Sequence, residues 1–155
     1  MNQKKTNYEC KTKESRFSFN KVHHFAVLIA EDDDEMRRLL AEALSMDGFE
    51  VTECHNGVDF LMELEPFIAT KCPVNFDIII SDIRMPGITG LEILEELHER
   101  KELPPVILIT AFGDSETHAQ AKRFGAAAIF DKPFEIDDLL SKVREVALSS
   151  LSSEE

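Results

Sequence analysis

The stretch DIIISDIRMPG, residues 77–87, combines the pattern of a buried strand with a carboxylate at its end. Three consecutive isoleucines, 78–80, lead through a serine to Asp82, and a Pro-Gly pair follows at 86–87. Continuous apolar runs of this length are typical of strands that are covered on both faces. An aspartate behind such a strand is either an ordinary turn former or helix cap, or a functional group at the edge of a sheet. The stretch alone leaves both interpretations open.

Segments of two kinds alternate through the chain from residue 26 onward. The β-rich runs are predicted at residues 26–30, 49–53, 76–81, 105–110 and 127–131. A segment of helical period follows each run, and the five helices are predicted to end near residues 47, 68, 101, 124 and 148. Runs one, three and four are almost entirely apolar, as parallel strands between two helical layers are. This order predicts an open, doubly wound α/β sheet of five parallel strands with five helices.

The first helical segment shows the helical period most clearly. Its apolar residues recur at spacings of three and four, which predicts a single stripe that faces the core; they are Met36, Leu39, Leu40, Ala43 and Leu44. The segment is predicted to stop near Asp47 and Gly48, because glycine readily takes the left-handed conformation that ends many helices.

The composition limits the class of protein. At 155 residues the chain has the size of one ordinary domain. Its three cysteines, Cys10, Cys54 and Cys72, are far apart and lack the spacing of metal ligands, so we expect reduced thiols in a cytoplasmic protein. No apolar run approaches the roughly 18 residues that a membrane span needs, and no secretory signal pattern is visible.

The net charge of −13 is distributed unevenly. Residues 1–25 carry six Lys or Arg and two Glu, which leaves the other 130 residues with a net charge of −17. Binding to a nucleic-acid backbone needs clustered Lys and Arg, so we expect no direct contact with nucleic acid. Residues 1–25 are polar and aperiodic, which predicts a basic, mobile N-terminal extension. The domain is expected to span residues 26–148, with a short polar tail at 149–155.

Polar residues terminate four of the five predicted strands. Glu31 and Asp32 follow the first, Asp82 the third and Lys132 the fifth, while Thr110 ends the fourth. The carboxyl ends of parallel strands share one edge of the sheet, and ligands bind there in doubly wound folds. Capping of the next helix explains the further acids at 33–35. It does not explain why an aspartate and a lysine from distant segments arrive at the same edge.

Crowded carboxylates at one edge repel one another unless a cation neutralises them. A site made only of oxygen ligands suits Mg²⁺, or Mn²⁺. A divalent cation beside a carboxylate nucleophile, with a lysine and a hydroxyl nearby, is what phosphoryl transfer requires. Asp82 is then the predicted acceptor of the phosphoryl group.

Four blocks of the sequence resemble the receiver domains of two-component response regulators. The blocks are LIAEDDDEMRRLL at 28–40, DIIISDIRMPGITGLE at 77–92, VILITAFGD at 106–114 and FGAAAIFDKPF at 124–134. The sequences of these blocks are most similar to those of the receivers of NtrC-like systems, and the resemblance covers residues 26–148. It implies a flavodoxin-like sheet with the strand order 2-1-3-4-5.

The resemblance also implies a role for each residue at the strand ends. Asp82 would accept a phosphoryl group from a phosphohistidine of a sensor histidine kinase or a histidine phosphotransfer protein. Asp32, Asp82 and the backbone carbonyl of Arg84 would ligate the metal, and Glu31 would act mainly through water.

The two remaining roles concern the phosphoryl group itself. Thr110 would bond one of its oxygens, and Lys132 would pair with its charge. The run EDDD leaves one ambiguity, because a shift of one residue would make the acid pair Asp32 and Asp33 instead of Glu31 and Asp32.

Phosphorylation is expected to switch the binding of a downstream protein target by a monomer or a phosphorylation-dependent dimer. Such a receiver assists its own phosphorylation and slow dephosphorylation and is not otherwise an enzyme. Two alternatives stay open: a receiver-like binding module that is not phosphorylated, and a receiver fragment of a larger transcriptional regulator. A phosphohydrolase of the haloacid-dehalogenase type is disfavoured, since Arg84 occupies the position of its acid-base aspartate.

One position departs from the resembled pattern. The residue three before Lys132 is commonly aromatic in the family, whereas here it is Ile129. A β-branched aliphatic side chain has few rotamers and no hydroxyl, so it cannot swing between solvent and core as an aromatic does. Phe130 is expected on the opposite face of the strand, packed in the core. We therefore expect the loop 111–115 and the fourth helix to transmit the signal.

Overall fold

The computed structural model describes residues 24–70, 75–100, 103–111 and 113–152. The strands are β1 (Ala26–Ala30), β2 (Glu50–Cys54), β3 (Ile78–Asp82), β4 (Val106–Thr110) and β5 (Ala128–Asp131). The helices are α1 (Asp34–Met46), α2 (Gly57–Thr70), α3 (Gly90–Leu97), α4 (Ser115–Arg123) and α5 (Ile136–Ser152). Most of the predicted N-terminal extension, residues 1–23, lies outside the described residues, as do Cys10 and Cys72.

The five strands form one parallel sheet with the order β2-β1-β3-β4-β5. This confirms the predicted doubly wound fold and its strand order. β3 lies at the centre, where it pairs with β1 through Ile78 and Val27 and with β4 through Asp82 and Ile109. Because all strands run the same way, the residues that follow β1, β3, β4 and β5 lie along one edge.

The isoleucines of β3 face two separate cores. Ile79 packs on the side of α2, α3 and α4, whereas Ile78 and Ile80 pack on the side of α1 and α5. None of the three side chains is exposed to solvent. Burial on both faces is the reason for the continuous apolar run at 78–80.

The observed helix ends differ from the predicted ones at two places. α3 ends at Leu97 rather than near residue 101, because the following residues offer no further apolar side chain and the backbone turns, with the Arg100 N–H bonded to the Leu97 carbonyl. α5 continues to Ser152 rather than stopping near Leu148. The predicted polar tail therefore begins as helix, and the Ser149 hydroxyl donates to the Glu145 carbonyl.

Acidic and hydroxyl side chains cap α1, α3 and α4, and the sequence indicated the first of these caps. Asp33 caps α1 by accepting the Met36 N–H at 2.9 Å, and Asp34 and Glu35 lie in the first turn. Thr89 and Glu92 form a capping box at the start of α3. Within the described residues, no helix is long and apolar enough to cross a membrane.

The buried face of α1 contains fewer apolar residues than its sequence pattern predicts. Leu40 and Leu44 are buried against the sheet, but Leu39 is 49% exposed. Spacing alone placed all three in the core, and the angle at which the helix meets the sheet turns Leu39 outward.

We expect this difference in burial to separate two otherwise identical substitutions. Leu44→Ala should lower the free energy of unfolding by about 2–5 kcal/mol, since it leaves a cavity. Leu39→Ala should change the free energy of unfolding by less than about 1 kcal/mol. Urea unfolding followed by circular dichroism measures both, and equal losses would contradict the position of α1.

Candidate functional site

Side chains from the ends of three strands meet at the carboxyl edge of the sheet. Glu31 and Asp32 directly follow β1, and Asp82 is the last residue of β3. Each offers a carboxylate oxygen, and these oxygens all lie within 4.8 Å of one another. Glu31 and Asp82 are buried while Asp32 is exposed. The structure thus brings together the acidic residues that the sequence singled out.

Lys132 joins this cluster from the end of β5. Its Nζ donates to Asp82 Oδ2 at 2.8 Å and to Glu31 Oε2 at 3.0 Å. The backbone N–H of Lys132 donates to the Thr110 carbonyl at 2.7 Å, so the main chain of Lys132 is bonded to the end of β4. A single ammonium therefore bridges residues that are 101 and 50 positions away in the chain.

Asp82 is held from both sides. Its Oδ1 accepts the backbone N–H of Arg84 at 3.0 Å, while Oδ2 accepts from Lys132. The start of α3 packs so closely behind it that a Cβ on Gly90 would lie 2.5 Å from the Asp82 carbonyl oxygen. Glycine is required there because any side chain would displace the strand end that carries the carboxylate.

Glu31 is the most deeply buried acid of the cluster, with 1% of its surface exposed. Its Oε1 accepts the Asp33 N–H at 3.1 Å. Burial and the neighbouring Asp82 carboxylate raise its pKa to about 7, although Lys132 acts in the opposite direction. Burial alone would lower the pKa of Lys132, but its hydrogen bonds to Asp82 and Glu31 outweigh burial and raise it. Burial therefore favours the neutral form of Glu31, whereas the carboxylates around Lys132 favour its charged form.

The two acids that cluster with Asp82 are Glu31 and Asp32. The Asp33 carboxylate is engaged by the N–H of Met36 as the cap of α1, and Asp33 is not among the three clustered acids. Of the five consecutive acids at 31–35, Asp33 is therefore used as the helix cap and not in the cluster.

Thr110 and Arg84 complete the predicted set. Thr110 is the last residue of β4, and only 1% of it is exposed. Arg84 lies two residues beyond β3; its side chain is exposed, and its backbone N–H contacts Asp82. Thr110 thus ends the strand next to β3, and the main chain of residue 84 contacts the carboxylate of Asp82.

The sequence pattern did not predict that Arg37 is buried and contacts the main chain of Glu31. This arginine of α1 is 3% exposed, and its Nη1 donates to the Glu31 carbonyl at 3.0 Å. Nη2 pairs with Asp34 at 2.5 Å, and that hydrogen bond lowers the pKa of Asp34. The spacing of Asp34 and Arg37 suggests a pair on one helix face, but nothing local shows that this face turns towards the acid cluster.

A second contact that the sequence did not reveal joins α4 to β5. His118 Nε2 lies 2.9 Å from Asp131 Oδ1, directly beside Lys132. Gly113 approaches the same carboxylate so closely that a Cβ there would lie 1.7 Å from Asp131 Oδ1. The pair couples the position of α4 to the strand that delivers the lysine.

The two residues before Asp131 face opposite cores. Ile129 packs on the side of α2, α3 and α4. Phe130 packs on the side of α1 and α5, with its ring centroid 5.7 Å from that of Phe134. Phe130 therefore lies on the opposite face from Ile129, as expected, but it is only half-buried and packs against the core rather than within it.

The donor set fits a hard divalent cation. Every side-chain ligand in the cluster is a carboxylate oxygen, which is the type of ligand that Mg²⁺ and Mn²⁺ prefer. One exposed acid beside two buried ones leaves the cluster accessible from solvent. The geometry therefore combines acids that could hold a cation, a buried carboxylate bonded to a lysine, and a threonine at the end of the neighbouring strand.

Comparison with known proteins agrees with this geometry. The model of the response regulator receiver domain family matches residues 27–144. The regulatory protein AtoC of Escherichia coli (strain K12) is 36% identical over 129 residues, which cover 83% of this chain and 26% of AtoC. The C4-dicarboxylate transport regulator DctD of Pseudomonas aeruginosa is 40% identical over 118 residues, 76% of this chain and 24% of DctD. The chain thus spans about a quarter of the length of these curated relatives.

Solved structures share the fold over nearly their whole length. A CheY-like receiver domain protein from Methanospirillum hungatei JF-1 has a TM-score of 0.74 and 25% identity, with 84% of this chain and 98% of that chain covered. A DNA-binding response regulator of the LuxR family from Staphylococcus aureus has a TM-score of 0.69 and 28% identity, with 79% and 98% covered. By its sequence, its fold and the arrangement of its carboxyl edge, the chain belongs to the receiver domains of two-component response regulators.

Proposed function

We propose that Asp82 is the phosphoacceptor of this receiver. The observation that carries the proposal is its position: a buried carboxylate at the end of β3, 2.8 Å from Lys132 Nζ and clustered with two further acids. A carboxylate oxygen of Asp82 attacks the phosphorus of a partner's phosphohistidine. The nitrogen–phosphorus bond breaks, the imidazole recovers its electron pair and takes up a proton, and an acyl phosphate forms on Asp82.

Lys132 and Thr110 stabilise the charge that this transfer brings to the edge. The ammonium of Lys132 already contacts Asp82, so it can follow the oxygens of the incoming phosphoryl group without a large movement. Thr110 ends the neighbouring strand, and the family pattern assigns its hydroxyl to a phosphoryl oxygen. Both residues act as preplaced donors, which lowers the cost of reorganisation.

The proposed cofactor is Mg²⁺, or Mn²⁺, held by Asp32, Asp82 and the Arg84 carbonyl, with Glu31 acting through water. When bound, the cation neutralises the equatorial oxygens of the transferred group. The raised pKa of Glu31 supports the proposal, because burial disfavours the ionised carboxylate and a bound cation would offset that cost.

The proposed partners follow from the chemistry of the family. Receiver domains of response regulators are phosphorylated by histidine kinases, and we propose a sensor kinase or a histidine phosphotransfer protein as donor. A downstream protein target would read the phosphorylated state, with the receiver as a monomer or a phosphorylation-dependent dimer. A cytoplasmic location is part of the same proposal, and the free thiol of Cys54 is compatible with it.

Phosphorylation should be detectable with a small donor. With acetyl phosphate and Mg²⁺ the wild type should gain one acid-stable, alkali-labile phosphoryl group, measured by intact-protein mass spectrometry. Asp82→Asn should abolish the gain. Lys132→Ala should slow phosphorylation at least about tenfold, because the negative charge of the transferred phosphoryl group loses its ammonium partner. Asp77 directly precedes β3, at the opposite end of the strand from Asp82. Asp77→Asn is therefore the control and should be phosphorylated normally. Undiminished label in Asp82→Asn would refute the assignment.

Metal binding should appear as stabilisation of the folded state. At about 100 times its dissociation constant, Mg²⁺ should add roughly 2.7 kcal/mol to the free energy of unfolding. Asp32→Asn should remove most of this gain. Asp33→Asn is the matched control, since asparagine also caps helices and Asp33 lies outside the clustered acids. Thermal melts with and without Mg²⁺ test the pair, and the reverse result would place the acid pair one residue later.

The response of α4 to phosphorylation should depend on Thr110 and not on Ile129. Beryllofluoride, a phosphoryl mimic, should shift the backbone amide resonances of the loop 113–115 and of α4 in ¹H–¹⁵N spectra of the wild type. Thr110→Val lacks the hydroxyl and should confine the shifts to the surroundings of Asp82. Ile129→Ala should retain most of the shifts in α4. Their loss in Ile129→Ala, with beryllofluoride still bound, would show that residue 129 is a necessary relay.

A further inference from the structure

Arg37 is a buried cation directly behind the acid cluster. Only 3% of it is exposed, although it lies near the start of a helix whose acidic first turn faces solvent. Arginine is almost never buried this deeply unless its charge is paired. Its partners come from three elements: the Glu31 carbonyl after β1, Asp34 in α1, and Glu53 of β2, whose Oε1 lies 3.5 Å from Nε.

The contact with the Glu31 carbonyl reaches the metal ligands through the backbone. That carbonyl belongs to the peptide group that joins Glu31 to Asp32, so the guanidinium restrains the rotation that would swing Asp32. The same residue is restrained on its other side, where the Glu31 N–H donates to the Cys54 carbonyl at 3.1 Å. Asp32 itself is exposed and follows directly. The direction in which the Asp32 carboxylate points therefore depends on how firmly the Glu31–Asp32 peptide is held.

We propose that Arg37 is a positioning residue of the cation site: it holds the Glu31–Asp32 peptide so that the Asp32 carboxylate stays with those of Glu31 and Asp82. This inference rests on the proposed function, because it assumes that the cluster binds Mg²⁺. Arg37 does not touch the cation. It acts through the main chain, as groups behind the ligands of a metal often do.

The geometry of the side chain matters more than its charge. Arginine is a planar fork, so Nη1 can donate to the carbonyl while Nη2 holds Asp34. A lysine at this position has one donating centre and can satisfy only one of these partners well. Charge alone has the opposite effect on metal binding, since a cation behind the cluster repels Mg²⁺ and its removal would tighten binding. The two explanations therefore predict changes of opposite sign.

Isothermal titration of Mg²⁺ into the full chain decides between them. Arg37→Met should weaken binding roughly tenfold to a hundredfold, which is typical for loss of a group that orients metal ligands. Arg37→Lys should fall between Met and the wild type, because it keeps the charge but loses the fork. Arg38→Met is the matched control: it removes the same charge from the next residue, whose side chain is exposed, and should bind as the wild type or slightly more tightly.

Two further readouts keep a purely structural role apart from positioning. Melting in EDTA reports the stability of each variant without metal, and circular dichroism confirms its fold. A variant that melts earlier but binds Mg²⁺ with the affinity of the wild type would overturn the inference, as would tighter binding by Arg37→Met. Should Arg37→Met fail to fold, Arg37→Lys decides, and an unchanged dissociation constant there would also overturn it.

The wild type separates this inference from the proposed function. If it binds no Mg²⁺ and takes up no phosphoryl group, the proposed function fails and the role of Arg37 falls with it. If it binds Mg²⁺ and is phosphorylated while all the Arg37 variants bind equally well, only the positioning role is refuted.

Discussion

The contact of Lys132 with Asp82 and Glu31 is the interaction on which the carboxyl edge depends. It joins the ends of β1, β3 and β5 through one ammonium, with bonds of 2.8 and 3.0 Å. Two buried carboxylates this close would repel strongly in a medium of low dielectric constant. Lys132 favours the ionised form of both carboxylates, but for Glu31 burial outweighs it and raises the pKa to about 7. A cation or a phosphoryl group that arrives at this edge would therefore meet one carboxylate whose ionised form is still disfavoured.

The helices around the sheet differ in how many apolar side chains they bury, and this difference suits a signalling domain. α5 buries Leu139, Val143 and Ala147, whereas in α4 only Ala121 is buried. The position of α4 therefore relies on polar contacts such as that between His118 and Asp131. Elements with few buried apolar contacts are the ones that move at low cost. A movement of α4 therefore disturbs few buried apolar contacts, chiefly those of Ala121.

Much of the fold and of the site could be predicted from local patterns. The apolar run before Asp82 indicates a strand that is covered on both faces, and the alternation of such runs with helical periods leads to a doubly wound sheet. Once the strands are parallel, their carboxyl ends must share an edge, so a lysine and an aspartate 50 residues apart could be placed together. These inferences succeed because the period of side chains along a strand or helix is a local property of the backbone.

The sequence by itself determined the order of the elements and the identity of the residues at the strand ends. Only the tertiary structure decided that Arg37 turns inward to the Glu31 carbonyl, that His118 meets Asp131, and that Leu39 lies half outside the core. Such features depend on the angle at which each helix meets the sheet and on distances between segments far apart in the chain. The pKa of Glu31 belongs to the same class, because burial and neighbouring charge exist only after the strands have come together.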